Sequence, residues 1–235
     1  MREKRVMLLF LIATVGLFFT KAATPAQTNA KQKVEITTTQ RVAFAPDGMI
    51  QIKDSYGEVR IEGWDQPDVE ITVTKATQKE YAPRDQARER AKLEKIKVTA
   101  TSGDDGSLLI STTFLSRHPL RPLQGKTNLN LTYRIKVPRQ SHLSIKHDVG
   151  AVAVIHVIGD IKVTNRIGEV TLKLPENEKY AIDAKAKIGD VTSDFNGESE
   201  RQLLVGAKLE SYRRRSHQLY LRVGIGEIAI NKLPQ

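Results

Sequence analysis

The residues of this 235-residue chain whose types and spacing could do chemistry are five histidines, a run of three arginines and a series of recurring glycines. His118, His142, His147, His156 and His217 could in principle ligate a metal or act as a base, but none stands at a recognised ligand spacing from another. His147 is followed by Asp148; neighbours in a strand point to opposite faces, so the two are not arranged to cooperate. The chain has no cysteine, which excludes thiolate chemistry and a disulfide framework. The segment "VGIGEI" is no phosphate loop, because no Gly-Lys-Ser/Thr element and no following helix accompany it. The sequence therefore predicts no catalytic site, no metal and no cofactor, and the reading is non-enzymatic.

What remains is binding chemistry. In "YRRRSHQLYLR", Arg213, Arg214 and Arg215 concentrate positive charge between Tyr212 and Tyr220. Guanidinium groups chelate phosphate, sulfate or carboxylate, and flanking aromatics stack on sugar or base faces. A second basic segment, Leu115 to Lys126, holds Arg117, His118, Arg121 and Lys126 in a proline-punctuated loop. Each of these segments reads equally as a solvated connection, and the arginine run as a cationic strand edge that blocks aggregation. No nucleic-acid-binding module surrounds either, so no specific nucleic-acid partner is expected.

The elements that position these residues are strands. Ile50 and Ile52, Val59 and Ile61, then Val69, Ile71 and Val73 alternate with polar residues, as do Leu129, Leu131, Tyr133, Ile135 and Val137. Turns are supplied by "PDG" at Pro46 to Gly48, "DQP" at Asp65 to Pro67 and "DDG" at Asp104 to Gly106, the last joining a hairpin. The segment "PRDQARERAKLEK" from Pro83 predicts one surface helix near 83–95, resting on a sheet by the small residues Ala87 and Ala91.

Glycine followed by an acid and a β-branched residue recurs at Gly57, Gly159, Gly168, Gly189 and Gly226. From Gly150 the spacings are 9, 9, 21 and 37 residues, which fit units of about 19 residues with the longest taken as two. This predicts an all-β fold, a β-solenoid-like or stacked-sheet repeat of short strands with Gly-Asp/Glu corners. The open alternative is a β-sandwich whose turns share the same residues.

The N-terminus has the form of an export signal, with basic "MREKR" ahead of an apolar run from Val6 to Phe19. Cleavage is expected after Ala22 or Ala26; an uncleaved leader would be the one membrane contact. The formal charge of +10 becomes +7 without the first 22 residues. The domain reading is signal 1–22, linker 23–33 and a single β-rich domain 34–235, divided into 34–148 and the repeat coils 149–235. The expected location is exported, in the periplasm or at the cell surface.

The segments "YGEVRIEGWDQPDVEITVTKAT" and "YRIKVPRQSHLSIKHDVGAVAV", with the run of "GDIKV", "GEVTL" and "GDVTS", resemble the exported bacterial putative-adhesin family, from about Ile50 to Ile230. The resemblance implies a repetitive β-structure of largely unknown function. By it, Gly63, Trp64 and Asp65 match a structural Gly-Trp-Asp corner and Pro138 a strand-ending proline, with no inherited active site. The segment Leu203 to Gly224 departs from the pattern and puts the last coil in question. The expected role is a cell-envelope scaffold or adhesin-like module, or else a binding module for anionic glycans or lipids, with a polysaccharide-active enzyme as the third reading. The partner is an unidentified envelope component, a glycan or another protein.

Overall fold

The computed structural model describes residues 30–53, 56–114, 128–195, 198–202, 206–211 and 217–233. The proposed leader, the 115–126 basic loop and Tyr212, Arg213, Arg214 and Arg215 lie outside them.

Among the described residues, alternating side chains build seventeen strands, and one helix accompanies them. A strand in one sheet and the next coil strand in the opposite sheet make one coil, joined by a tight corner except between the strands Leu108–Phe114 and Leu129–Pro138. The coils are β2 (Met49–Lys53) with β3 (Glu58–Trp64), β6 (Leu108–Phe114) with β7 (Leu129–Pro138), and β8 (His142–Val149) with β9 (Val152–Ile155). They continue with β10 (Ile161–Ile167) and β11 (Val170–Pro175), β12 (Tyr180–Ile188) and β13 (Val191–Ser193), and β16 (His217–Ile225) and β17 (Ile228–Leu233). Coil stacks on coil through parallel, in-register pairing. Antiparallel strands cap the ends: β1 (Gln32–Ala43) and β4 (Asp68–Tyr81), β5 (Ile96–Ser102), and β14 (Glu198–Gln202) with β15 (Gly206–Ser211).

The result is an eight-stranded sheet, β1-β4-β7-β3-β9-β11-β17-β13, stacked on a nine-stranded sheet, β14-β15-β12-β16-β10-β8-β2-β6-β5. In both sheets the coils follow the same spatial order, and it is not the chain order: the second coil lies outside the first, and the sixth lies between the fourth and the fifth. The fold is solenoid-like coil by coil without being one continuous superhelix. The 37-residue interval between Gly189 and Gly226 is thus not two repeat units. It holds the antiparallel pair β14–β15, after which the chain returns to insert its last coil beside Gly168.

The core between the sheets is aliphatic, with Ile50, Ile61, Ile135, Val163, Leu172, Leu221 and Ile230 fully buried. Each such side chain contributes about 2 kcal/mol by burial. The corners explain the glycines. Gly57, Gly150, Gly168, Gly189 and Gly226 have φ between +120° and +138°. At Gly168 a Cβ would also sit 2.0 Å from the carbonyl oxygen of Gly150 in the next coil, so any side chain there breaks the stack. The ladder of main-chain bonds continues round the corner, Gly150 N donating to Ile167 O at 2.9 Å and Gly168 N to Ile225 O at 2.9 Å. Two buried polar side chains complete it: His147 Nε2 donates to Gly57 O at 3.1 Å and Asn165 Nδ2 to Gly150 O at 2.9 Å.

Gly159 also stands at a corner, between β9 of one sheet and β10 of the other at the opposite edge, where a Cβ would meet Ser141 O at 2.3 Å. Two expectations are corrected. Gly63 lies inside β3 and Trp64 at its end, so Gly63 marks close approach to His156 O and not a corner. The helix α1 (Pro83–Glu94) packs through buried Glu89 and Leu93, while Ala87 and Ala91 are exposed. An i,i+4 pair with a long aliphatic side chain reaches the sheet where alanine does not.

Candidate functional site

Because the central strands pair in register, a residue type repeated at one position of each coil becomes a row across the sheet. Four residues before the corner glycines stand Lys53, Lys146, Thr164, Arg222 and Lys185. On the outer face of the nine-stranded sheet, Lys53 pairs with Lys146, Lys146 with Thr164, Thr164 with Arg222, Arg222 with Lys185, and Lys185 with Lys208 of β15. At about 4.8 Å per strand, this row spans roughly 24 Å. Lys162, Arg166 and Lys187 lie on the same face beside it.

The row has one anchored member. Arg222 donates from Nη2 to Asp183 Oδ2 at 2.6 Å and from Nη1 to the Asp183 carbonyl at 2.9 Å, and its guanidinium lies 3.9 Å from the Tyr220 ring centroid. Burial opposes its charge, but the bond to Asp183 and the nearby Tyr220 outweigh this and hold its pKa above the ordinary arginine value. Lys208 pairs with Glu210 at 2.6 Å, and Arg166 lies 3.7 Å from Asp148. Among the described residues, Lys53, Lys146, Lys185 and Lys187 form no ion pair. Lys53, Lys146, Lys185, Arg222 and Lys187 line a shallow open depression of about 750 Å³. A flat field of cations can hold phosphate, sulfate or carboxylate groups repeated along a polymer.

The outer face of the eight-stranded sheet is arranged otherwise. Glu70 accepts from Arg41 at 2.5 and 2.8 Å and lies 3.0 Å from Lys136, and these two cations hold its carboxyl below the usual range, Lys136 foremost. Trp64 lies beside the same cations, 5.4 Å from Arg41 and 5.1 Å from Lys136, and its Nε1 donates to Asp68 O at 2.9 Å. Asp65 pairs with Arg139 at 2.6 Å. Next to this network the face carries Ala153, Thr171 and Ala229 in one row.

Of the residues singled out from the sequence, Tyr220 stands on the basic face, where Lys162 also lies 5.3 Å from its ring. His147 is buried and Asp148 exposed, so the pair is split between faces. His142 lies beside Asp160 at 3.5 Å and His217 beside Glu178 at 3.8 Å, each separate from the row. Among the described residues no group of three or more His, Asp or Glu side chains is placed to hold a metal ion. No described helix is long and apolar enough to cross a membrane. The lysines of the row were not singled out from the sequence; their signal is the recurrence of a basic residue four positions before the corner glycine.

Parallel coils stacked through a glycine ladder, with broad outer faces distinguished by charge, define a coil-stacked β domain. The chain belongs to the Toastrack DUF4097 family, a domain family of unknown function whose model matches residues 14–231. Among solved structures it is similar to a putative cell adhesion protein from Clostridium sporogenes, at 15% identity over 86% of this chain and 100% of that one, with a TM-score of 0.48. It is also similar to putative adhesins from Bacteroides fragilis (8% identity, 84% and 97% covered, TM-score 0.24) and Parabacteroides distasonis (9%, 84% and 97%, 0.23). No curated protein matches the chain significantly.

Proposed function

We propose that this protein is a non-enzymatic, exported interaction module of the cell envelope whose nine-stranded sheet face binds an anionic polymer. The observation that carries the reading is the in-register row Lys53, Lys146, Arg222, Lys185 and Lys208. Like charges placed directly opposite each other in a sheet are destabilising, and three of these lysines have no acid partner among the described residues. A polyanion laid across the strands would relieve that repulsion along its whole length. Export is supported by the basic and then apolar N-terminal sequence.

The test is retention of the purified chain on immobilised polyphosphate, teichoic acid and heparin over a salt series. With about five cations engaged, log K is expected to fall against log salt with a slope of about −4. Absence of retention on every polyanion, or retention indifferent to salt, would remove the reading. An Arg213/Arg214/Arg215→Ala variant run alongside separates the sheet face from the arginine run.

A further inference from the structure

Immediately before each corner glycine the chain carries an apolar residue: Tyr56, Val149, Ile167, Ile225 and Ile188, in the spatial order of the stack. Ile167 pairs in register with Val149 on one side and Ile225 on the other, and Ile225 pairs with Ile188. Ile167, Ile225 and Ile188 are 40%, 49% and 45% exposed. Spaced by about 4.8 Å per coil, Val149, Ile167, Ile225 and Ile188 make a straight apolar ridge roughly 15 Å long, while Tyr56 packs against the core. A solvated corner has no need of β-branched apolar side chains, and an exposed apolar line of this kind marks a contact surface.

The ridge divides two opposite charges. On its nine-stranded-sheet side, two residues before the glycines, stand Asp148, Arg166, Gly224 and Lys187 in stack order. On the other side, directly after the glycines, stand Ala151, Glu169, Glu227 and Asp190. The one coil with an acid on the first flank, at Asp148, has the uncharged Ala151 on the second.

We propose that the ridge is a homodimer interface, in which a second copy of this chain docks ridge to ridge about a two-fold axis running along the ridge. That rotation keeps each coil level with its counterpart and carries each basic flank over the other copy's acidic flank. Glu169 then meets Arg166 of the second copy, Asp190 meets Lys187, and Ala151 meets Asp148. A two-fold axis across the ridge would keep the acidic flank on the acidic flank and set Glu169 against Glu227 of the second copy, so these acids favour the parallel arrangement. They also disfavour an anionic membrane as the occupant, because Glu169, Glu227 and Asp190 would face its headgroups beside the isoleucines. The patch is at the small end of specific interfaces, so association depends on concentration. The interface shares Arg166 and Lys187 with the rim of the basic depression and leaves the row of Lys53, Lys146, Arg222 and Lys185 outside it; if polymer binding also holds, the rotation turns the two basic faces to opposite sides of the dimer, giving a bivalent particle.

The experiment is sedimentation velocity on the full chain from micromolar to near-millimolar concentration. Circular dichroism checks that each variant is folded, and vesicles of phosphatidylglycerol are run in parallel. The expected result is a monomer–dimer equilibrium that Ile225→Glu abolishes and Lys187→Glu weakens at least about fivefold, with Lys187→Glu/Asp190→Lys restoring it. A wild type that stays monomeric throughout would overturn the proposal. So would a dimer unaffected by a folded Ile225→Glu variant, or a charge swap that fails to rescue. A monomer that sediments with the vesicles through Ile225 would assign the ridge to a membrane and equally end it.

Discussion

The two sheets are made from the same coils, yet their outer faces balance charge to different degrees. On the eight-stranded sheet Glu70 is shared by Arg41 and Lys136, Asp65 takes Arg139, and the neighbouring row is Ala153, Thr171 and Ala229. On the nine-stranded sheet Lys53 faces Lys146 and Arg222 faces Lys185. In-register stacking multiplies whatever stands at a given position, so a charge repeated per coil either finds acids or accumulates repulsion. The first face has found acids for most of its cations within the chain, the in-register pair Arg60 and Arg134 excepted, where Arg60 alone lies near an acid, Glu62, at 3.9 Å. The other keeps a row that weakens the fold, which is the physical reason to look for its counter-charge outside the chain.

Charge reversal on each face in turn is the strongest way to break this contrast. Lys146→Glu/Lys185→Glu is expected to lower affinity for polyphosphate by more than about tenfold at moderate salt, whereas Arg60→Glu/Arg134→Glu on the other face costs less than about twofold. Equal losses in titration calorimetry would mean that net charge, not the row, does the binding. A smaller effect sharpens the contrast from the opposite direction. Thr164 interrupts the row between Lys146 and Arg222, so Thr164→Lys should tighten polyphosphate binding about threefold. The same substitution should lower thermal stability by about 0.5 kcal/mol. If stability is unchanged, the lysines do not feel one another. The smallest effect belongs to the paired face. Glu70 has a lowered pKa, so its contribution to stability is fully present above the unfolded value of about 4.3 and disappears as pH falls through the lower folded value. Glu70→Gln should therefore cost up to about 1 kcal/mol at neutral pH and nothing in strong acid, leaving polymer binding intact. A pH-independent deficit in denaturant melts would point to lost packing instead.

Much of this architecture is legible in the sequence because strand and corner signals are local. Alternation at Ile50 and Ile52 or Leu131 to Val137 places those side chains inward, and glycine-acid marks the corners at Gly57, Gly168, Gly189 and Gly226. Stacking order is different in kind. Nothing near Gly226 states that its coil lies beside Gly168 and not beyond Gly189, since any coil with a Val/Ile interior fits any other. The basic row escapes a linear reading for the same reason: Lys53, Lys146 and Arg222 are far apart in sequence and meet through register alone. The search for charge runs instead finds Arg213 to Arg215, where cations are adjacent in the chain. Position relative to the corner glycine is the coordinate that recovers both the lysine row and the isoleucine ridge.

The exchanged order of the last two coils also bears on how the molecule is made. A solenoid stacked in chain order can settle coil by coil as the polypeptide leaves the ribosome, and can lose its last coil without harm to the rest. Here β12 and β13 gain their native neighbours only once β16 and β17 have been made and inserted between them and β10–β11. Until then the nascent chain presents open parallel sheet edges, the kind of surface that chaperones shield and proteases exploit. In a product stopped short of β16, β12 and β13 would be without their native neighbours and would keep parallel edges open to pairing.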